Sequence, residues 1–397
     1  MGCFTRSPHP LATLATTIVG VFLSTAVAAQ VGDPKPDAYW HKPLAPQGQA
    51  PGGWSNEEQS LAPQDCGQCH AEQFTKWRTS RHAQAFSLGV VGQLLDYDAA
   101  DTAECMICHA PLDEQRTAFE AARARGVAHQ PREQGLAAFG NACAGCHLRA
   151  NARFGPPQRG TGATGPSVLP APHGGVFRTP LFESSEFCST CHQFPATLAV
   201  AGKPLENTYE EWKASPQAAQ GMSCQTCHMP DRQHLWRGIH DPAMVASGLT
   251  PHTSTDADKA RFEITNTGVG HAFPTYATPT VVMYAIALDT GGTARLETLR
   301  SQVIARRVSY DGERWHELAD TRLLPGQSAA IELPWNGNER VRVWLEVIPD
   351  DYYESEVYPG LLALIAPDGE PARLIAKARA DAAASRFRLF ETELERP

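Results

Sequence analysis

The stretch DCGQCH at residues 65–70 decides the architecture of this chain, because it contains the pattern Cys-x-x-Cys-His. The same pattern recurs as CMICH at 105–109, CAGCH at 143–147, CSTCH at 188–192 and CQTCH at 224–228. In this pattern two thiols bond covalently to the vinyl groups of a porphyrin, and the histidine ligates its iron. The sequence therefore predicts five covalently attached c-type haems, on motifs numbered 1 to 5 in chain order.

Each motif supplies two attachment cysteines and one proximal iron ligand. The predicted haem-binding cysteines are Cys66, Cys69, Cys105, Cys108, Cys143, Cys146, Cys188, Cys191, Cys224 and Cys227. The predicted proximal ligands are His70, His109, His147, His192 and His228.

The cysteine count favours haem attachment over the other uses of Cys-x-x-Cys. The chain has 11 cysteines, and only Cys3 lies outside the five motifs. Zinc sites need such units in pairs and do not require the following histidine, whereas five units leave one unpaired. A thioredoxin-like redox motif would occur once, and structural disulfides would not repeat one spacing in this way.

Residues 1–29 have the features of a secretory signal peptide. Arg6 supplies a positive charge, residues 11–27 form an apolar run, and small residues at 26–29 offer a cleavage site. The run is short for a membrane span, and no other segment approaches the length that a span requires. We expect a periplasmic or extracellular protein that does not span the membrane, which agrees with haem attachment outside the bacterial cytoplasmic membrane.

The rest of the chain divides into three predicted segments. Residues 30–62 are rich in Pro, Gly and Gln and predict an extended leader. Residues 63–254 carry all five motifs, so we expect short helices and irregular segments around haems that themselves form the core. Residues 255–397 predict a β-rich domain with a late helix. The predicted fold class is therefore α+β, a mostly helical and irregular multihaem domain followed by a small antiparallel β-sandwich-like domain.

Alternating apolar residues separated by turn residues predict the strands of the C-terminal segment. These strands are expected at residues 261–266, 281–288, 301–309, 329–333 and 341–347. An Ala-rich helix is predicted at 371–384, with Pro in its first turn, and a closing strand at 386–394.

The second axial ligand of each iron determines the mechanism. Iron with histidine on both sides is saturated and suits electron transfer, whereas an open position permits chemistry on a small molecule. Nine histidines remain for five distal places, namely His41, His82, His129, His173, His234, His240, His252, His271 and His316. Our distal candidates are His82, His173, His234, His240 and His271; His41 and His316 are expected to be solvated.

Sequence context guides this selection. A continuous helix predicted over 71–87 would place His82 about 18 Å along its axis from the first motif, so His82 would ligate a different haem. His240 is followed by Asp241, which could orient its second ring nitrogen. His271 lies in a turn after the first predicted strand, so ligation by His271 would dock the β-domain onto the haem domain.

A family resemblance covers most of the chain after the signal peptide. The run at 65–70, with Trp77 and SRHA at 80–83, resembles the opening of the cytochrome c554-like multihaem cytochromes. Further segments resemble a proteobacterial branch of that family with a C-terminal β-domain, and they are residues 143–149, 187–193, 208–212, 224–230, 234–241 and 266–275. The resemblance implies an electron-transfer protein with closely stacked, bis-histidine haems.

Enzymatic and structural functions stay open beside electron transfer. The resembled family borders on hydroxylamine-oxidising and tetrathionate-reducing enzymes, so one five-coordinate haem could act on a small nitrogen or sulfur compound. The motifs contain no Cys-x-x-Cys-Lys variant, which argues against the pentahaem nitrite reductases. A subunit of an extracellular cytochrome filament is a further alternative, in which a neighbouring subunit would donate an iron ligand.

Charge indicates the kind of partner. The formal net charge is -9, and haem propionates would make the loaded protein more acidic still. We therefore expect redox protein partners with basic docking surfaces, and no nucleic acid.

Overall fold

A computed structural model of the protein describes residues 35–126, 135–167, 170–337 and 339–397. The predicted signal peptide at 1–29, Cys3 and His129 lie outside these residues. The described chain has a helical N-terminal part followed by a part built from antiparallel sheets. This arrangement confirms the predicted α+β class.

The helices are short, and five of them contain the haem motifs. Residues three apart lie on one face of a helix, so a helical Cys-x-x-Cys presents both thiols on the same side. Among the described residues the helices are α1 (Pro36–Tyr39), α2 (Asn56–Gln59), α3 (Pro63–Cys69), α4 (Ala71–Trp77), α5 (Leu88–Leu94), α6 (Ala99–His109), α7 (Asp113–Ala124), α8 (Cys143–His147), α9 (Glu186–His192), α10 (Thr208–Lys213), α11 (Pro216–Ala219), α12 (Cys224–His228), α13 (Pro242–Gly248), α14 (Tyr358–Leu364) and α15 (Glu370–Ala384).

The continuous helix predicted over 71–87 is wrong. Helix α4 ends at Trp77, and a separate 3-10 turn covers His82–Gln84. Ser80 Oγ donates to the Trp77 carbonyl at 2.7 Å and accepts from Ala83 N at 3.3 Å, so a side chain replaces the helical backbone bonds. The break turns His82 away from the direction that helix α4 would have given it.

Strands occur in both parts, but only those of the C-terminal part are long. The short strands are β1 (Leu148–Arg149), β2 (Ala152–Gly155), β3 (Gly165–Pro166), β4 (Phe177–Arg178), β5 (Ala199–Val200) and β6 (Lys203–Pro204). The C-terminal strands are β7 (Leu249–Thr255), β8 (Lys259–Asn266), β9 (Thr280–Leu288), β10 (Arg300–Ile304), β11 (Arg306–Tyr310), β12 (Trp315–Asp320), β13 (Ser328–Pro334), β14 (Arg340–Ile348) and β15 (Phe387–Glu395).

Two sheets face each other across an apolar core. One has the strand order β10-β9-β14-β15 and the other the order β13-β8-β7, and β11 pairs with β12 in a separate hairpin. Strand β8 alternates buried and partly exposed residues, with Phe262 and Ile264 fully buried toward the opposite sheet. This period of two is what a sheet with one covered face requires.

The structure divides one predicted strand. Residues 301–309 were expected as a single strand, but β10 ends at Ile304 and β11 begins at Arg306 in a different sheet. Ala305 between them exchanges hydrogen bonds with Thr321, whose side chain accepts from Ala305 N at 3.1 Å. The other predicted strands and the late helix are present with slightly longer bounds, except that the closing strand is shifted by one residue to Phe387–Glu395.

The C-terminal segment packs back onto the N-terminal part. Helix α15 lies against α5, where Gly92 is so close to Ile375 that a Cβ on Gly92 would stand 2.7 Å from Ile375 Cγ1. Strand β7 begins at Leu249, within the segment predicted for the haem domain. The division into 30–62, 63–254 and 255–397 itself stays a prediction. Among the described residues, every helix is too short or too polar to cross a membrane.

Candidate haem sites

Four of the five motif histidines face a second imidazole ring. In each pair, one ring comes from a motif and the other from a distal candidate. The ring centroids are 6.5 Å apart for His70 and His173, 6.2 Å for His192 and His82, 6.2 Å for His147 and His234, and 6.4 Å for His228 and His271.

These separations fit two imidazoles that share one metal ion. A ligating imidazole nitrogen lies about 2 Å from a first-row metal ion and the ring centre about 1 Å beyond it, so opposed rings have centroids about 6 Å apart. The residues present therefore fit the axial ligation of haem iron at four motifs.

Hydrogen bonds fix which ring nitrogen is available. In five of the paired histidines and in His109 of motif 2, Nδ1 lies close to a backbone carbonyl, which can only accept, so Nδ1 must carry the proton. The acceptors are Ala85 O for His109 at 2.8 Å, Phe154 O for His147 at 2.7 Å, Gly175 O for His173 at 3.1 Å, Arg237 O for His228 at 2.6 Å, Arg232 O for His234 at 3.0 Å and Ala272 O for His271 at 2.9 Å. Nε2 is thereby left unprotonated, as in metal-bound histidines.

The surroundings keep most of these rings neutral. Burial lowers the pKa of His82 to about 3 and the pKa of His109, His234 and His271 to about 4. Iron ligation needs the neutral imidazole, so these shifts favour it. His192 differs, because burial opposes its charge but Glu206, whose Oε1 is 3.8 Å from Nδ1, raises its pKa.

Thiols from different motifs touch one another. Cys66 of motif 1 contacts Cys143 of motif 3, Cys108 of motif 2 contacts Cys191 of motif 4, and Cys188 of motif 4 contacts Cys224 of motif 5. Cys146 of motif 3 acts electrostatically on Cys188 and Cys191. Motif 4 thus adjoins three other motifs, and the attachment segments form one connected group.

Motif 2 differs from the other four. Nδ1 of His109 donates to Ala85 O, as a proximal ligand would, yet no imidazole among the residues that the structure describes forms a ring pair with His109. Apolar residues surround this motif, including Phe86, Met106 and Phe119. A distal histidine for motif 2 is therefore absent from the described part of the chain.

The structure does not bring His240, the fifth distal candidate, opposite a described motif histidine. Its Nε2 lies 2.9 Å from Asp350 Oδ2, so the nitrogen that would face iron is used in a hydrogen bond. The sequence pointed to Asp241 as the orienting carboxylate, but Asp241 Oδ1 instead accepts from Met244 N and caps helix α13. His240 thus joins the two parts of the molecule.

Comparisons with known proteins give one family match and one similar fold. Residues 65–148 match the family model of cytochrome c554 and c-prime. The fold is similar to that of a penta-heme cytochrome c552 from Thermochromatium tepidum, with a TM-score of 0.57, 19% sequence identity, and coverage of 83% of this chain and 97% of that chain. No curated protein matches the chain.

These findings support a multihaem c-type cytochrome family for the chain.

The remaining described histidines lie away from the paired rings. His41 is exposed, and His252 is exposed on strand β7. His316 Nε2 lies 2.5 Å from Asp311 Oδ2. His252 and His316 therefore serve as comparison positions for the paired histidines.

Turn residues position the distal ring that comes from the β-domain. Asn266, at the end of β8, donates through Nδ2 to His271 O at 3.1 Å and accepts from Val269 N at 3.0 Å. Glu211 of helix α10 accepts from Ala272 N at 3.2 Å and pairs with the buried Arg322 at 3.0 Å. The turn is thus held from both parts of the molecule.

Sequence reasoning missed several residues that support the sites. Glu206 beside His192 and Asp350 beside His240 come from distant segments, and only the fold brings them close. Lys42 of the predicted leader reaches motifs 2 and 4. No spacing pattern marks these residues, because their partners lie far away along the chain.

Proposed function

We propose that the chain is an electron-transfer cytochrome in which motifs 1, 3, 4 and 5 hold bis-histidine haems. The axial pairs are His70 with His173, His147 with His234, His192 with His82 and His228 with His271. The observation that carries this proposal is the set of four ring separations of 6.2–6.5 Å, each joining a motif histidine to a histidine outside the motifs.

The residues of the chain suit reversible electron transfer. A bound haem supplies a one-electron iron couple, and two imidazoles leave no coordination position for a substrate. Backbone carbonyls hold the ring orientation on Nδ1, so the rings need not move when the charge of the site changes. Contact between thiols of neighbouring motifs keeps the attachment segments close, which rapid electron exchange requires.

We propose five haems in total, with motif 2 carrying the fifth. His109 has the same Nδ1 hydrogen bond as the other proximal ligands, and Cys108 contacts motif 4. Mass spectrometry of the purified protein should show the mass of five covalent haems and no reactive thiol. Four haems, or bound zinc, would contradict this count.

The location and partners belong to the same proposal. A signal peptide at residues 1–29 would deliver the chain to the periplasm or beyond, and N-terminal sequencing of the mature protein tests its removal. The formal net charge of -9 favours redox partners with basic docking surfaces.

Spectroscopy of a ligand variant tests the axial assignment. His271→Ala removes the only donor that the β-domain offers to motif 5 in the described pairs, so one haem should become high-spin in the electron paramagnetic resonance spectrum. The exposed His252→Ala is the matched control and should leave every signal unchanged. An unchanged spectrum in His271→Ala, or a new high-spin haem in the control, would disprove the assignment.

A second candidate function rests on motif 2. Because no described imidazole faces His109, its iron is the candidate site for a small nitrogen or sulfur compound. Nitrite or hydroxylamine added to the oxidised wild-type protein should then shift a high-spin signal. If His129→Ala is required to create that signal, His129 ligates motif 2, and the enzymatic alternative fails.

If the signal appears only on dilution to monomers, a neighbouring subunit supplies the ligand.

A further inference from the structure

Lys42 lies at the junction between two haem-attachment segments. Its Nζ is 3.6 Å from Cys108 Sγ of motif 2 and 3.9 Å from Cys191 Sγ of motif 4. The same ammonium donates to the carbonyl oxygen of Thr190, which is inside motif 4. No other described lysine forms a hydrogen bond with a motif thiol.

We propose that Lys42 raises the reduction potentials of the haems on motifs 2 and 4 above those of the other haems. The inference rests on the proposed electron-transfer function and adds a direction to it. Electrons that enter the cytochrome would collect on the pair of sites that Lys42 adjoins, because this pair holds them most tightly.

The charge of Lys42 has no local counter-charge in the described part of the chain. Haem attachment converts Cys108 and Cys191 into neutral thioethers, so neither sulfur can carry a negative charge. The ion pairs of the described residues do not include Lys42, which is half-buried and therefore only partly screened by salt. Reduction adds an electron to the iron, and a nearby positive charge favours that state.

The chain on either side of Lys42 is anchored, so the ammonium is held in place. Tyr39, Trp40 and Leu44 are buried in one apolar cluster, and Tyr39 Oη donates to Cys146 O at 2.6 Å. Arg149 donates to Tyr39 O at 2.7 Å and stacks over the Tyr39 ring at 4.0 Å. A lysine in a mobile leader would spend its time in water, but this one is fixed against the two motifs.

Redox titration followed by electron paramagnetic resonance tests the proposal. Lys42→Gln keeps a hydrogen-bond donor for Thr190 O but removes the charge. At a fixed solution potential, the ratio of reduced to oxidised iron should fall on the order of tenfold at two haems, as expected for one charge near 10 Å at an effective dielectric constant of about 20. The signal of the haem on motif 4 is identified by comparison with the His82→Ala variant, in which that haem should become high-spin.

Two further variants separate charge from structure. Lys42→Arg keeps the charge and should preserve the wild-type potentials. Lys213→Gln removes a mostly exposed lysine, 3.5 Å from Glu210, and should leave the potentials unchanged. Haem content by mass spectrometry identifies any variant that fails to assemble.

Two outcomes overturn the role of Lys42. One is a Lys42→Gln protein with full haem content and wild-type potentials, and the other is an equal shift of every haem in both glutamine variants. The number of low-spin signals in the wild-type protein tests the axial assignment by itself. Failure of that assignment is therefore distinguishable from failure of the inference about Lys42.

Discussion

Single hydrogen bonds separate five of the eight paired histidines from two of the other histidines that the structure describes. These five rings donate from Nδ1 to a backbone carbonyl and keep Nε2 free, whereas Nε2 of His240 and of His316 bonds a carboxylate. The sequence could give nine distal candidates, and four of the five selected ones face a motif histidine. It could not exclude His240, because its partner Asp350 lies in the C-terminal part.

The pair formed by His240 and Asp350 should contribute to stability rather than to ligation. Burial opposes the charge of Asp350, but the hydrogen bond and charge of His240, together with Arg81 and Ser385, outweigh it and lower the pKa of Asp350. His240→Gln should therefore leave the haem spin states unchanged and cost about 1–3 kcal/mol in free energy of unfolding at pH 7.

The loss in free energy of unfolding should depend on pH. A carboxylate with a lowered pKa stabilises the folded state above its unfolded pKa, about 3.9, and loses that contribution as the pH falls through the folded value. Urea unfolding should show the variant's deficit in free energy of unfolding at pH 7, and the deficit should shrink as the pH falls below about 3.9. The more exposed pair of His316 and Asp311 is the control, and a pH-independent deficit in His240→Gln would contradict the prediction.

Elements with one covered face were predictable from the sequence, and elements defined by distant contacts were not. The alternation in β8 and the apolar run in β9 gave these strands close to their observed bounds. The break between β10 and β11 was not predicted, because Thr321 lies on another segment of the chain. Its side chain accepts from Ala305 N and ends β10 there. The helix after motif 1 was overestimated for a local reason, because Ser80 bonds the Trp77 carbonyl and Ala83 N in place of helical backbone bonds.

The packing of α15 on α5 leaves no room for a side chain at Gly92. Gly92→Ala gains helix propensity, but its Cβ would meet Ile375 at 2.7 Å, so we expect a net loss of about 1–3 kcal/mol. Gly360→Ala in α14 is the matched control, because no atom within 4 Å opposes a Cβ there, and it should gain up to about 1 kcal/mol. Thermal unfolding measures both changes. A stabilised Gly92→Ala protein would show that the two helices separate easily.

The whole molecule joins its haem-binding part and its β-domain through several contacts. His271 faces motif 5, Asp350 bonds His240, and α15 packs on α5. The sequence predicted the first of these contacts from the position of a turn. It could not predict the other two, since helix packing and a lone carboxylate leave no spacing signature.

Net charge should govern how the molecule meets other proteins. With -9 before haem propionates are added, electron transfer to a basic partner cytochrome should slow as ionic strength rises. Stopped-flow mixing with a basic and with an acidic partner provides the comparison, since the acidic partner should show the opposite trend. Equal salt dependence for both partners would assign docking to a local patch instead of the overall charge.

The order of the paired histidines along the chain bears on how the protein is made. His82 precedes its partner His192, but His70 must wait for His173, which is synthesised only after motifs 2 and 3. Haem is attached outside the cytoplasmic membrane, so during export from the N-terminus His82 would be the nearest free imidazole to motif 1, at a time when neither has its final partner. Under the proposed pairing, assembly from the N-terminus would bring His82 beside motif 1 before motif 4 is available, so maturation would include an exchange of axial ligands.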